Sequence, residues 1–323
     1  KDFSSNQDKL IEYLEIACAL YQDTENDEQI KEGLTLITDA IGNTLARHHK
    51  NNQKIIDLIK EGEIKDLRDV DLSGIDLREA KLQDAELRRA KLIDAELQGA
   101  DLQGAILYNA KLQHAQLQRT NLEGANLQWA ILYNAKLKNA QLQHAQLQHA
   151  QLKNAQLQGA NLQEAQLQNA DLRWAQLQNT QLQWANLQEA ELQDAQLQHA
   201  QLQWANLQEA KLQHAQLQDA QLQKANLIEA QLWKANLYRA QLQEAYLGRA
   251  QLEEAELQEA QLQGAKLMGA NLQRANLQHA QLQNADLRWA KLRGANIQWA
   301  NLSLANLYSA NLQGASLIMA DFR

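Results

Sequence analysis

The 323-residue chain carries 31 basic and 39 acidic side chains, a net charge of −8 with neutral histidines, yet only one Cys, 13 Gly and no Pro. The single Cys excludes an intrachain disulfide framework, the lack of any run of about eighteen apolar residues excludes a transmembrane helix in this sequence, and an acidic balance with no basic patch argues against nucleic-acid binding. So little Gly and Pro suits a backbone whose amides and carbonyls are bonded in a regular array.

Residues 1–65 read as helical. In SSNQDKLIEYLEIACALYQ the apolar residues Leu10, Ile11, Leu14, Ala17, Leu20 and Tyr21 share a helical face, and Ser5 with Asp8 forms a capping-box start. A second amphipathic run passes through Ile30, Leu34, Ile37, Ile41 and Leu45. A third passes through Ile55, Ile56 and Ile59 and meets a C-terminal stop at Gly62. Three short helices have too little apolar surface for a core of their own, so they are expected to pack as a cap on the first coil of the following region, near Val70 and Ile75. The alternative is a separate helical interaction module. Cys18, on the apolar face of the first helix, reads as buried packing and not as a reactive thiol. A cytoplasmic location is the expectation, with export the alternative if a leader precedes Lys1.

Residues 66–323 follow a different rule. In AQLQHAQLQHAQLKNA, from Ala140 to Ala155, the apolar residues alternate at gaps of two and three, a period of five. On a helix that period turns the apolar face by roughly 140° per repeat, and on a flat strand an odd repeat sends successive leucines to opposite faces. Only a chain that turns a corner once per repeat keeps Leu and Ala inward. The register holds without an insertion over 52 central positions from Leu67 to Phe322, and only Ile297 and Phe322 depart from Leu. Two residues earlier stands Ala, relaxed to Val70, Ile75, Thr120 and Thr180. A repeat held at one period over this length indicates a solenoid.

The segment ADLQGAILYNAKLQHAQLQ resembles the pentapeptide-repeat family, whose pattern is A-(D/N)-L-x-x, and the likeness covers about four-fifths of the chain. The resemblance implies an all-β solenoid, a right-handed quadrilateral β-helix with four pentapeptides per coil; the period alone does not set the number of sides. At one strand spacing per coil, the rod would be roughly 60 Å long. The position before Leu is Gln at Gln141, Gln146 and Gln196, where the family pattern has Asp or Asn, so the usual side-chain support of the corners is not expected there.

Some members of the family are understood as mimics of duplex DNA that bind DNA gyrase. Here the acidity is concentrated in residues 66–105, with ten acids against six bases, while residues 106–323 carry a net +1. A mimic needs a sustained anionic stripe. The longest acidic column at a spacing of twenty is Glu189, Glu209 and Glu229, with Lys211 beside it. Gyrase binding is therefore the second reading, after a non-enzymatic scaffold whose faces bind a protein partner.

Enzyme chemistry finds no support in the pattern. The histidines of the repeats (His114, His144, His149, His199, His214 and His279) all occupy the second position after Leu and scatter over four faces, so no metal or catalytic constellation converges and no cofactor is expected. Six tryptophans occupy that same outward position. Trp184 and Trp204 are one coil apart and should stack, with Lys224 next in the column, and Trp174 is read as lying on the face just before Trp184. Either stacked identical side chains simply stabilise the solenoid, or Trp174, Trp184 and Trp204 form an aromatic hot spot for a partner. At the far end, in SLIMADFR, Phe322 with Ile318 and Met319 is expected to plug the open coil, or two rods meet there end to end as a homodimer, the preferred alternative because one ring cannot satisfy a coil of backbone groups.

Overall fold

The computed structural model describes residues 53–323; the first two helical runs and Cys18 lie outside the described residues. The helix expected at Ile55, Ile56 and Ile59 is present as α1, Gln53–Glu61. Ile55 and Ile59, one turn apart, are buried in the same apolar cluster as Ile64, Leu67, Val70, Leu72 and Ile75. The helix ends where Gly62 predicts. The Gly62 amide donates to the Ile59 carbonyl at 3.1 Å and the Glu63 amide to the Leu58 carbonyl at 3.0 Å, with Gly62 at φ +80°, a Schellman stop. No other residue fits, since a Cβ on Gly62 would lie 2.5 Å from the Lys81 carbonyl oxygen. The Lys81 amide in turn donates to the Lys60 carbonyl at 2.8 Å, so the end of α1 joins the backbone ladder of the rod.

From there every fifth residue forms a parallel bridge with the residue twenty positions later, from Asp66 with Glu86 to Asn301 with Asp321. Twenty residues therefore complete one coil, and four bridge columns make four sides. The side Gln201–Ala205 shows how its amides are satisfied. Gln201 donates to the Thr180 carbonyl of the preceding coil (2.9 Å), Leu202 to Gln221 of the next (2.7 Å) and Trp204 to Gln223 of the next (3.1 Å), while Ala205 closes a turn onto Leu202 (3.1 Å).

One amide per side remains, that of the residue after Leu. Where the first residue of the side is Asn or Asp, its side chain accepts this bond in an Asx turn, as from Gln163 to Asn161 (3.1 Å) and from Gln208 to Asn206 (3.2 Å). Gln, one methylene longer, does not make it. Gln141 donates instead to the Asn139 carbonyl at 3.3 Å, Gln196 accepts from Gln178, and Gln201 accepts from Gln183 at 2.6 Å. At Gln196 and Gln201 the side chain thus bonds across to the neighbouring coil, while at Gln141 it bonds to the carbonyl two residues earlier.

The residue at each corner, second after Leu, has a positive φ of 54 to 70° without exception from Asp69 to Met319. A turn whose third residue is left-handed and whose second is not is of type II, the setting that favours Gly. Here most corners hold bulkier residues, at a cost of about 1–2 kcal/mol each, and the intercoil bonds on both flanks hold them there. Inside, the Leu positions from Leu67 to Leu302 are buried. Thr120 and Thr180 replace Ala in the core without an orphaned hydroxyl, donating to the carbonyls of Leu97 (2.8 Å) and Leu177 (2.7 Å).

Candidate functional site

Since residues twenty apart stack, each corner carries a column of side chains along the rod. One column reads His144, Glu164, Trp184, Trp204, Lys224, Glu244. Trp184 and Trp204 are stacked as expected, with ring centroids 4.9 Å apart and planes within 4°. Lys224 Nζ lies 4.6 Å from the Trp204 ring centroid and 3.6 Å from a Glu244 carboxylate oxygen, so the ammonium is held between ring and carboxylate. At the other end Glu164 turns away toward His144, with Oε2 3.5 Å from Nδ1. Trp184 is 57% exposed, the most open of the tryptophans.

The structure corrects the placement of Trp174. It lies ten residues before Trp184, half of a twenty-residue coil, so one whole side separates the two and Trp174 is across the rod from the stacked pair. Its ring is engaged by Lys153 Nζ at 4.7 Å and by the Arg173 guanidinium at 5.8 Å. The three tryptophans do not form one patch.

Sequence reasoning also missed how mixed the other columns are. Trp129 stacks on His149 (4.1 Å, 12°), Trp299 on His279 (6.1 Å, 14°), and Trp233 meets His214 edge-on and Lys234 Nζ at 4.6 Å. The signal was available, since each stacked pair differs by twenty residues, as do Glu164 with His144 and Lys224 with Glu244. Among the described residues no group of His, Cys, Asp and Glu is placed to hold a metal ion, and no helix is long and apolar enough to cross a membrane.

The acidic column Glu189, Glu209, Glu229 stands at the corner next to the tryptophan pair. Glu229 pairs with Arg249 at 3.2 Å. Among the described residues Glu189 and Glu209 accept hydrogen bonds only from the side-chain amides of Gln188 (3.4 Å) and Gln208 (3.2 Å). Beneath them Glu191 is engaged by Lys211 (2.7 Å) and Arg173 (3.3 Å). Several acids of the first coils are paired with a nearby cation. Asp69 pairs with Arg89 at 2.5 Å and Asp76 with Arg78 at 2.8 Å, and hydrogen bonds from those guanidinium groups hold both carboxyls below the usual range.

At the far coil Ile318 and Met319 project outward, 61% and 66% exposed, and do not fold over the core. Phe322 continues the Leu column one coil beyond Leu302, which is buried. Leu307 and Leu312 are only partly buried and Leu317 is 37% exposed, so the ring of Phe322 does not close the coil.

The chain matches the family described as Pentapeptide repeats over residues 70–109, 107–139, 235–274 and 270–307, and the one described as Pentapeptide repeat region over 125–207 and 153–227. Among solved structures it is similar to HetL of the cyanobacterium Nostoc sp. strain PCC 7120, described as involved in heterocyst differentiation regulation. The two are 36% identical, the match covers 64% of this chain and 89% of HetL, and the TM-score is 0.37. A pentapeptide repeat protein of the same cyanobacterium, alr5209, is 43% identical over 24% of this chain and 64% of its own, with a TM-score of 0.24. A trypsin-treated form of QnrB1, described as a plasmid-mediated fluoroquinolone resistance protein, is 19% identical over 53% of this chain and 86% of its own, with a TM-score of 0.47. No curated protein matches the chain.

Proposed function

The chain belongs to the pentapeptide-repeat family, and on that premise we propose that it is a non-enzymatic scaffold, a right-handed quadrilateral β-helix that binds a protein partner through its faces. The observation that carries the reading is the exposed Trp184–Trp204 pair, the one stack of two indoles among the described residues and a large rigid aromatic surface, the kind of anchor on which interface energy concentrates. The regulatory role described for HetL is compatible with a binding function of this kind. The DNA-mimic reading lacks a comparable support. Its acidic column runs for three coils and then meets Arg249 on one side and Asn169 on the other.

The test compares capture of partners from cells of the source by the wild-type chain and by Trp184→Ala/Trp204→Ala. The double variant is expected to lose a captured protein while keeping its melting temperature within a few degrees. Retention of every partner with loss of stability would make the pair structural and overturn the reading. End-to-end pairing of two rods through the coil of Leu307 to Phe322 belongs to the same proposal, supported by the exposed Leu317, Ile318, Met319 and Phe322. Light scattering of wild type and Phe322→Ser tests it: a monomeric mass for both would remove the dimer.

A further inference from the structure

The tryptophan column is asymmetric at its two ends. Toward the C-terminus the order is ring, cation, carboxylate: Trp204, Lys224 Nζ at 4.6 Å from the ring, Glu244 at 3.6 Å from Nζ. Toward the N-terminus the order is ring, carboxylate, with no cation between Trp184 and Glu164. Trp184 stacks on Trp204 through one face only; among the described residues its other face meets neither a ring nor a cation. What sets Trp184 apart from Trp129 and Trp299, which also have one ring partner, is that the residue one coil away on its free side is a carboxylate, Glu164. Glu164 leans toward His144, its side chain 58% exposed, and Trp184 is 57% exposed, so both the ring and the carboxylate can be reached from outside.

We propose that the open face of Trp184 and the carboxylate of Glu164 receive an arginine side chain from a basic segment of a partner protein. The inference deepens the scaffold reading and rests on it. A guanidinium is flat, so it can stack face to face on an indole, and its fork of donors matches a carboxylate at the same time, which a lysine ammonium does not do. The rest of the segment has a complementary surface at the next corner. Glu189 and Glu209 stand there without an ion pair among the described residues, the nearby Lys211 and Arg173 being engaged by Glu191, and the floor between the two corners is the polar row of Asn186, Asn206 and Asn226, which bond one another at 3.2 and 3.0 Å. Charge complementarity therefore favours a cationic occupant over an apolar one.

The experiment titrates the full chain with a blocked Gly-Arg-Gly-Arg-Gly peptide and with its Lys counterpart, by calorimetry at low and at physiological salt. The Arg peptide is expected to bind more tightly than the Lys peptide. Trp184→Ala and Glu164→Gln should each weaken it by roughly fivefold, the order of one cation–π or ion-pair contact. Trp174→Ala, across the rod, is expected to leave it unchanged. Equal affinity for Trp184→Ala and wild type, or an equal loss for Trp174→Ala, would mean diffuse attraction to an acidic rod and would overturn the proposal. Folding of each variant is checked by its melting curve, and Trp184→Phe, which keeps a ring, should retain part of the affinity if the ring face is what binds. Capture in the same variants separates the two readings. If the Arg peptide fails to bind while Trp184→Ala/Trp204→Ala still loses its captured partner, the scaffold reading stands and the arginine site falls.

Discussion

Leu202→Asp tests the inward and outward assignment on which every face and column depends. Leu202 is fully buried between Leu182 and Leu222 of the neighbouring coils, themselves 1% exposed. Truncation to Ala would remove about three carbons at ~0.8 kcal/mol each and leave a cavity that the rigid coils cannot collapse, about 2–5 kcal/mol. A carboxylate at the same place is worse. The nearby amides are spent, Leu202 on Gln221 and Ala205 on Leu202, so no donor meets it. An unsatisfied polar group adds roughly 1–3 kcal/mol even if the acid becomes neutral, for a total of about 4 kcal/mol or more. The next residue is the control. Gln203→Asp loses a single part-buried side-chain bond, Gln203 Nε2 to Gln221 Oε1 at 2.5 Å, outside the apolar core, about 0.5–1.5 kcal/mol. Urea unfolding followed by circular dichroism compares Leu202→Ala, Leu202→Asp and Gln203→Asp with wild type. Because coils contact only their neighbours, hydrogen exchange at the amides of Leu182 and Leu222 should rise with the core substitutions and not with Gln203→Asp. Indistinguishable midpoints and exchange for Leu202→Asp and Gln203→Asp would refute the assignment.

Gly62→Ala should destabilise the α1 end of the rod by about 1–2 kcal/mol from the left-handed φ alone, before the clash with the Lys81 carbonyl, and raise exchange at the Lys81 amide; unchanged exchange there would mean that α1 does not depend on this stop. Acid should weaken the rod in a definite window. Hydrogen bonds from arginine hold Asp69, Asp76 and Asp286 below the usual range, and burial pushes Asp171 up but is outweighed by its bonds from the Arg173 side chain and backbone. Lowered folded-state values mean a stabilisation fully present above the unfolded carboxyl pKa of about 3.9 and lost as pH falls through the folded values. Urea midpoints should be level from about pH 5 to 7 and decline below about pH 4. Asp171→Asn should shallow that decline, and a midpoint that rises on acidification would contradict the sign.

Much of this molecule was legible in its sequence because one rule repeats. A five-residue period admits no single helix face and no flat strand, so the inward Leu and Ala and the outward Trp, His and Gln follow from spacing alone. The stop at Gly62 follows from local helix chemistry, and the stack of Trp184 on Trp204 from the four-sided coil that the family resemblance implies. Which residues share a face is another matter, because a period of five is silent on how many sides close a coil. The bridges from residue to residue plus twenty bear out the four sides that the resemblance implies, and the same count puts Trp174, ten residues before Trp184, across the rod from it. Two further features belong to the folded backbone only. The left-handed corner is occupied by Trp, His, Glu or Arg as readily as by Gly, so composition cannot reveal it; it is imposed by intercoil hydrogen bonds on either side. The direction in which Glu164 leans, toward His144 and away from Trp184, depends on the neighbour one coil below, and a local pattern carries no information about a contact made twenty residues away until the coil is closed.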